Sequence, residues 1–380
     1  MRIVHLTPHL PPDQAANAIL PAQLGAWMTN RGHDVLFVAH PPRQGGAPGS
    51  LDAGAVTWVP RRVREGLLGK LRLDAAAVAG AYTRVLDQVA DGADVVHLHS
   101  NGLLIETGAR WARRRRIPVL LTLYGTEIWH YERRWPVDFF RRAYMGASAV
   151  TFYSQGLLDR ARELGLDRPS LTVLYPAVSD TFRPLDDAAR ASVRQDLGIA
   201  ESRVVVNVKR LHELAGQTYL LQAFASVLPR VPDSRLIICG TGELRDSLQA
   251  QAAQLGISHR VTFTGLIPND LVARYVSAAD VFALPSLLEA LPTVAVEALA
   301  AGTPVVSADH PGGVELHGIF GDDVAVVPKR DSTALADALV GTLDRPRRVT
   351  PAALARLQTL FGPTAIADRY AELYRGMLPS

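Results

Sequence analysis

Between Val281 and Val306 the chain sets out an apolar strand (Val281 to Leu284), a loop carrying Glu289, an Ala/Leu-rich helix carrying Glu297, a glycine stop at Gly302 and the start of another strand. That succession restricts the fold to an open α/β sheet. At such a strand-to-helix junction the first-turn amides lack intrahelical partners and the helix dipole attracts anions, so a phosphate belongs there. Two carboxylates beside an anion site would repel the anion unless they face hydroxyls, as sugars and ribose present them. The spacing Glu289-x7-Glu297 puts one acid before the helix and the other about a turn inside it, so the pair can hold opposite ends of one diphosphate-bridged ligand. The plainer alternative is two acids favoured by the dipole alone.

The run EALPTVAVEALAAGTPVV from Glu289 to Val306 resembles the E-x7-E signature of retaining glycosyltransferases of the GT-B fold, family 4. The resemblance implies two Rossmann-like doubly wound α/β domains facing across a cleft, with a C-terminal helix crossing back to the N-terminal domain. It implies that Glu289 meets the donor sugar's hydroxyls, that Glu297 meets the ribose, and that Leu291, Pro292, Thr293 and Val294 border the donor at the helix start.

Length agrees with two domains, since 380 residues exceed what one core usually supports. With 48% hydrophobic and 20% charged residues there is apolar material for both. The formal charge of +3 is slight and gives no reason to expect nucleic acid as a partner. Cys239 is the single cysteine, which excludes an internal disulfide and a multi-cysteine metal site; in the run Leu236-Ile-Ile-Cys239 it reads as a buried small hydrophobe. The start Met1-Arg-Ile-Val-His-Leu is a strand without an apolar leader, and no apolar run reaches membrane-spanning length, so a cytoplasmic protein is expected.

The N-terminal half opens as a βαβ unit, with a strand over residues 1 to 6, a helix from Leu20 to Asn30 and a strand from Val35 to Val38. The resembled family carries a Gly-Gly pair in the first loop. Here that loop reads Pro11-Pro12-Asp13-Gln14-Ala15-Ala16-Asn17, which leaves Asp13 and Asn17 to shape the acceptor side. The basic segment from Arg61 to Arg72 is a solvated helix face, or else a weak peripheral grip on anionic lipid; Gly66 and Gly69 interrupt it and favour the former. The arginines 113 to 116 fall at a helix end, where cations complement the dipole.

Two strands place polar groups at their C-terminal ends: Asp94-Val-Val-His97-Leu-His99, and Leu120-Leu-Thr-Leu-Tyr124 followed by Gly125, Thr126 and Glu127. The family's second motif commonly reads T-x-H-G, and Tyr124 occupies the place of its histidine. A tyrosine of ordinary pKa, about 10, is no base near neutral pH. In a retaining transfer the leaving phosphate oxygen can deprotonate the acceptor, so Tyr124 reads as a specificity change. His97, His99, Glu127 and His130 are the other acceptor-side candidates.

Pro176 to Pro184 resembles the family's interdomain link N-G-V-D-x-x-x-F, with Pro176-Ala177 for Asn-Gly. It puts the boundary near residue 180: an acceptor-side domain over 1–180, a donor domain over 181–362 and a terminal helix over 363–380. The donor domain opens with the strand Arg203 to Val208 and the loop Lys209-Arg210-Leu211-His212-Glu213-Leu214-Ala215-Gly216. The family's loop reads G-R-L-x-x-E-K-G, its Arg and Lys clamping the diphosphate. Arg210 and Gly216 match, whereas Ala215 stands at the lysine and Lys209 at the first glycine. Lys209 either supplies the missing cation or points to solvent. The Gly240–Gly242 turn is expected to flank the nucleotide, and the backbone at Leu266 and Ile267 to read its base.

The resulting expectation is a metal-independent retaining glycosyltransferase, monomer or homodimer, that needs no cofactor. It would move a hexose-type sugar from a UDP- or GDP-sugar to a small-molecule, natural-product or glycan acceptor. No Asp-x-Asp pair occurs in the chain. Two alternatives remain, a nucleotide-sugar epimerase of the same fold and a non-catalytic sugar-nucleotide-binding protein.

Overall fold

The computed structural model describes residues 1–13, 16–42, 50–51, 53–61 and 74–378, with the backbone alone at Ala16, Asn17 and Ser50. Gln14, Ala15 and all but the first residue of the basic segment therefore lie outside the described residues. The chain divides into two units, one of Met1–Pro176 with Ile366–Ser380, the other of Ala177–Ala365.

The first unit is built on a sheet in the order β3-β4-β2-β1-β5-β6-β7-β8. Its strands are β1 (Arg2–Thr7), β2 (Asp34–Ala39), β3 (Ser50–Leu51), β4 (Gly54–Trp58), β5 (Val95–His99), β6 (Val119–Leu123), β7 (Ala149–Phe152) and β8 (Leu171–Val173), all parallel except the edge strand β3. The central strands are buried along their whole length, as when helices cover both faces of a parallel sheet. The last helix, Pro363–Met377, belongs to this unit from Ile366 onward and buries Tyr370 and Tyr374.

The second unit carries six parallel strands in the order β11-β10-β9-β12-β13-β14: β9 (Arg203–Val208), β10 (Ser234–Cys239), β11 (Val261–Gly265), β12 (Val281–Leu284), β13 (Val305–Ala308) and β14 (Val324–Val327). Its core joins Val205, Leu236 and Ile238 of the sheet to Leu220, Phe224 and Leu339 of two flanking helices. Beside it, Arg190 and Arg194 of the helix Asp187–Asp196 grip the buried Asp280 carboxylate at 2.6 and 2.7 Å, and Asp280 also accepts from the Val204 amide at 2.7 Å. That carboxylate ties the helix to the start of β9 and β12.

In the second unit β9 and β12 fall at the residues expected from sequence. The first helix begins earlier than expected, at Ala16, with Pro21 inside it. Because Pro21 lies near the N-terminus, its missing amide removes only one early hydrogen bond. The helices Asp74–Val89, Phe139–Gly146, Gln155–Glu163 and Asn269–Ala278 and the strand β14 go beyond what the sequence reading proposed.

Candidate functional site

In the second unit β9 and β12 lie side by side, and the strand order runs away from them in opposite directions. The crevice at the carboxyl ends of such a pair is where open α/β sheets hold ligands. Lys209 is the residue just after β9, and Glu289 lies on the loop leaving β12. Lys209 Nζ and Glu289 Oε1 are 2.5 Å apart, with the side chains 21% and 17% exposed. Lys209 is thus turned onto Glu289 and largely shielded from solvent. Ala215, at the position of the expected lysine, is fully buried. Arg210 is mostly exposed and meets Glu243 at 3.2 Å, a surface pair that contributes little to stability.

Gly240 and Gly242 have a structural reason that the sequence did not reveal. Gly240 holds φ +143°, and a Cβ there would stand 2.1 Å from the Lys209 carbonyl oxygen; one on Gly242 would stand 2.2 Å from that of Leu211. The absence of side chains lets the loop after β10 press on the Lys209–Leu211 backbone, joined by the Lys209 amide to Cys239 and the Leu211 amide to Thr241, both 3.0 Å. Cys239 is buried, and burial pushes its thiol up to about 11, consistent with an inert core residue.

The Glu289 loop is pinned on two sides. The Gly312 amide donates to the Glu289 carbonyl at 3.0 Å, and the Leu287 amide to the Leu214 carbonyl at 2.8 Å. Glu297 lies inside the helix Thr293–Ala300, which no side chain caps. Its carboxylate has no hydrogen-bond partner among the described residues, and burial raises its pKa to about 7. Pro292 is buried, Leu291, Thr293 and Val294 are partly exposed, and beyond β11 Leu266 is exposed and Ile267 partly so.

His310 lies in the strand-end loop Ser307 to Gly313, which the resembled family often uses near the sugar and the helix cap. It is buried and caps the helix Pro311–Phe320, accepting from the Gly313 amide at Nδ1 (2.9 Å), while Nε2 lies 3.2 Å from Ser307 Oγ. Burial lowers its pKa to about 4, against the opposing pull of the nearby Glu289 carboxylate. The legible signal was its place just before a proline at the first helical position.

In the first unit β1 and β5 form the equivalent central pair. After β1, Asp13 pairs with His9 at 2.9 Å and lies 3.8 Å from Arg61 Nη2, so a compact charged group occupies that loop. The Asn17 side chain is outside the described residues. His97, expected on the acceptor side, is in the core: it is fully buried, and Nδ1 and Nε2 share hydrogen bonds of 2.7 Å each with the Tyr374 and Thr122 hydroxyls. Tyr370 and Tyr374 of the last helix lie against its ring. Burial drives its pKa well below the usual histidine value.

His99 is also buried. Its Nε2 meets His5 Nδ1 at 2.9 Å and its Nδ1 meets the Tyr124 hydroxyl at 2.6 Å, so it supports Tyr124 from below. Burial raises the Tyr124 pKa well above 10. Glu127 is a brace: it accepts from the Gly125 and Tyr124 amides at 2.8 and 3.2 Å and from the Ser100 hydroxyl. His130 is exposed. The ring nitrogens of His5, His97 and His99 gather within 4.8 Å. All but His5 Nε2 are engaged with protein groups, so the cluster is a hydrogen-bonded core rather than an open set of metal ligands.

A family model described as glycosyl transferases group 1 matches residues 189–350, and one described as a glycosyl transferase 4-like domain matches residues 21–177. The GDP-mannose-dependent alpha-(1-6)-phosphatidylinositol monomannoside mannosyltransferase of Mycobacterium tuberculosis is 34% identical over 286 residues, 72% of this chain and 73% of that protein. The protein of the same description from Mycolicibacterium smegmatis is 35% identical over 223 residues, which span 57% of this chain and 58% of its own length. Among solved structures, Anabaena HepE in complex with UDP superposes with a TM-score of 0.76 at 21% identity, covering 99% of this chain and all of that one, a likeness of fold.

Proposed function

Since this chain belongs to the group 1 glycosyl transferases and is a glycosyltransferase, we propose that it moves a hexose-type sugar, with retention, from a UDP- or GDP-sugar to a small-molecule, natural-product or glycan hydroxyl. The observation that carries this reading is the Lys209–Glu289 pair at the central strand exits of the second unit. A cation and a carboxylate stand together there, on the loop that leads into the uncapped helix Thr293–Ala300. The GDP-mannose dependence of the mycobacterial relatives and the UDP held by HepE support a nucleoside diphosphate donor.

In this mechanism the bond between the anomeric carbon and the diphosphate oxygen breaks and the acceptor oxygen takes its place on the same face. The acceptor proton passes to the departing phosphate oxygen. Lys209 and Arg210 neutralise charge on the diphosphate as it leaves, and Arg210 is free to turn because its pairing with Glu243 is exposed. These side chains supply the charge that a metal or cofactor would otherwise carry. Glu289 orients the sugar through its hydroxyls and Glu297 the ribose. Tyr124, whose pKa is raised, stays protonated and serves recognition rather than proton abstraction.

The test is incubation of the purified chain with UDP- and GDP-hexoses and a panel of hydroxyl acceptors, following nucleoside diphosphate release and the anomeric configuration of the product by NMR. Diphosphate release with a retained anomer is expected. An inverted product overturns the mechanism, and saturable donor binding without turnover across the panel favours a sensor.

A further inference from the structure

Two residues past β1, where the central strands of the first unit end, His9 is held at one ring nitrogen and open at the other. Its Nδ1 lies 2.9 Å from Asp13 Oδ2, with the two side chains 19% and 11% exposed. Arg61 steadies the acid in turn: its Nη2 stands 3.8 Å from the same carboxylate oxygen and donates to the Pro41 carbonyl at 3.2 Å. The loop backbone is fixed as well. The Thr7 hydroxyl donates to the His9 carbonyl at 2.9 Å, and the Asp13 amide donates to the carbonyl of the fully buried Leu10 at 3.2 Å.

This geometry fixes which ring nitrogen carries the proton. A carboxylate only accepts hydrogen bonds, so a nitrogen 2.9 Å from one must donate. Arg61 Nη2 is 3.5 Å from the same nitrogen, at the outer limit of a hydrogen bond, and does not compete. In the neutral ring the proton is therefore on Nδ1, and Nε2 presents a lone pair. Nε2 has no hydrogen-bond partner among the described residues and keeps access to solvent. A brace for the loop would need Nδ1 alone.

We propose that His9 binds the acceptor molecule: Asp13 holds its Nδ1–H, and Nε2 accepts a hydrogen bond from an acceptor hydroxyl. The crevice at the carboxyl ends of the central strands is where an open α/β sheet presents such a group to a ligand. The site also selects by chemistry. A phosphate or carboxylate oxygen has no proton to give and would meet a lone pair, whereas a hydroxyl donates to it. Asp13 contributes by orienting the imidazole, as a carboxylate does when it fixes the tautomer of a working histidine. The inference rests on the reaction proposed above, which supplies a hydroxyl-bearing acceptor.

Nitrogen NMR of the isotope-labelled whole chain tests the tautomer and the contact without turnover. At alkaline pH, where histidine side chains are neutral, His9 should carry its proton on Nδ1. Its Nε2 signal, assigned by its loss in His9→Asn, should shift when myo-inositol or methyl α-D-mannopyranoside, two hydroxylated rings, is added in excess. Kinetics then separate ligand contact from bracing. In His9→Asn the amide nitrogen can take the place of Nδ1 and keep the bond to Asp13, but nothing replaces Nε2; His9→Gln restores an acceptor near Nε2 instead. KM for an acceptor that turns over should rise about tenfold in His9→Asn and by less than about threefold in His9→Gln. Donor KM and hydrolysis of the donor by water should stay unchanged in both. A proton on Nε2, an Nε2 signal that neither ring moves, or an acceptor KM preserved by His9→Asn and not by His9→Gln each overturns the proposal. If the natural chain releases no diphosphate from any donor, the reaction itself fails, and the NMR result alone decides for or against His9.

Discussion

Lys209 and Glu289 lie eighty residues apart in sequence and meet at 2.5 Å where β9 and β12 end side by side. The lysine is held by the carboxylate that the mechanism assigns to the sugar. Glu289→Ala therefore releases Lys209 while removing the sugar contact. Turnover should fall by on the order of a hundredfold or more, and free nucleoside diphosphate should bind as tightly as before or more tightly. Lys209→Ala should weaken free diphosphate by about tenfold. Calorimetry with the diphosphate alone separates the two, and equal losses in both variants would contradict the division of labour.

Glu297 makes stability depend on pH in a stated direction. Its folded pKa is raised from 4.5 to about 7 by burial, so the folded state holds a proton that the unfolded chain releases. Its contribution is fully present below about 4.5 and is lost as pH rises to about 7, a change of about 3 kcal/mol at most. His310, lowered to about 4, acts oppositely, because the unfolded chain binds its proton first as pH falls from 6.5. The informative quantity is therefore the difference between the natural chain and Glu297→Gln in chemical denaturation. The stability of Glu297→Gln relative to the natural chain should rise between pH 4.5 and pH 7; a constant difference would show that Glu297 titrates normally.

Much of the second unit was legible because its signals are local. Val281 to Leu284 is a strand, Gly302 ends a helix with φ +80°, and Arg203 to Val208 is a strand of apolar run. Lys209 could be placed at a strand exit from sequence, but its partner could not, since pairing with Glu289 depends on which strands adjoin. The first unit was harder for a physical reason. A parallel sheet covered on both faces buries polar residues near strand ends beside apolar ones, so His97, enclosed by Thr122 and Tyr374, reads like His130, which is exposed. The hydroxyls that satisfy it come from a neighbouring strand and from the last helix, far off in sequence.

Asp280 should be the most sensitive of the structural acids. Its carboxylate accepts from Arg190, Arg194 and the Val204 amide and is 4% exposed. Asp280→Ala would leave two guanidinium groups and an amide in a partly dry site, destabilising the second unit by about 3–5 kcal/mol. Asp196→Ala, which removes an exposed partner of Arg274, should change stability by less than about 1 kcal/mol. Urea unfolding of both variants checks the contrast, and similar losses would show that burial is not what distinguishes the pairs.

Tyr124 separates recognition from proton transfer. Its hydroxyl shares a 2.6 Å hydrogen bond with the buried His99 Nδ1, and its pKa lies well above 10. Tyr124→Phe leaves that nitrogen without its partner, which should destabilise the first unit by about 1–3 kcal/mol. If the side chain acts in recognition alone, KM for the acceptor changes while the pH profile of kcat keeps its shape, because no titrating group near neutral pH has been removed. Loss of a limb of that profile in Tyr124→Phe would instead make the hydroxyl a proton carrier.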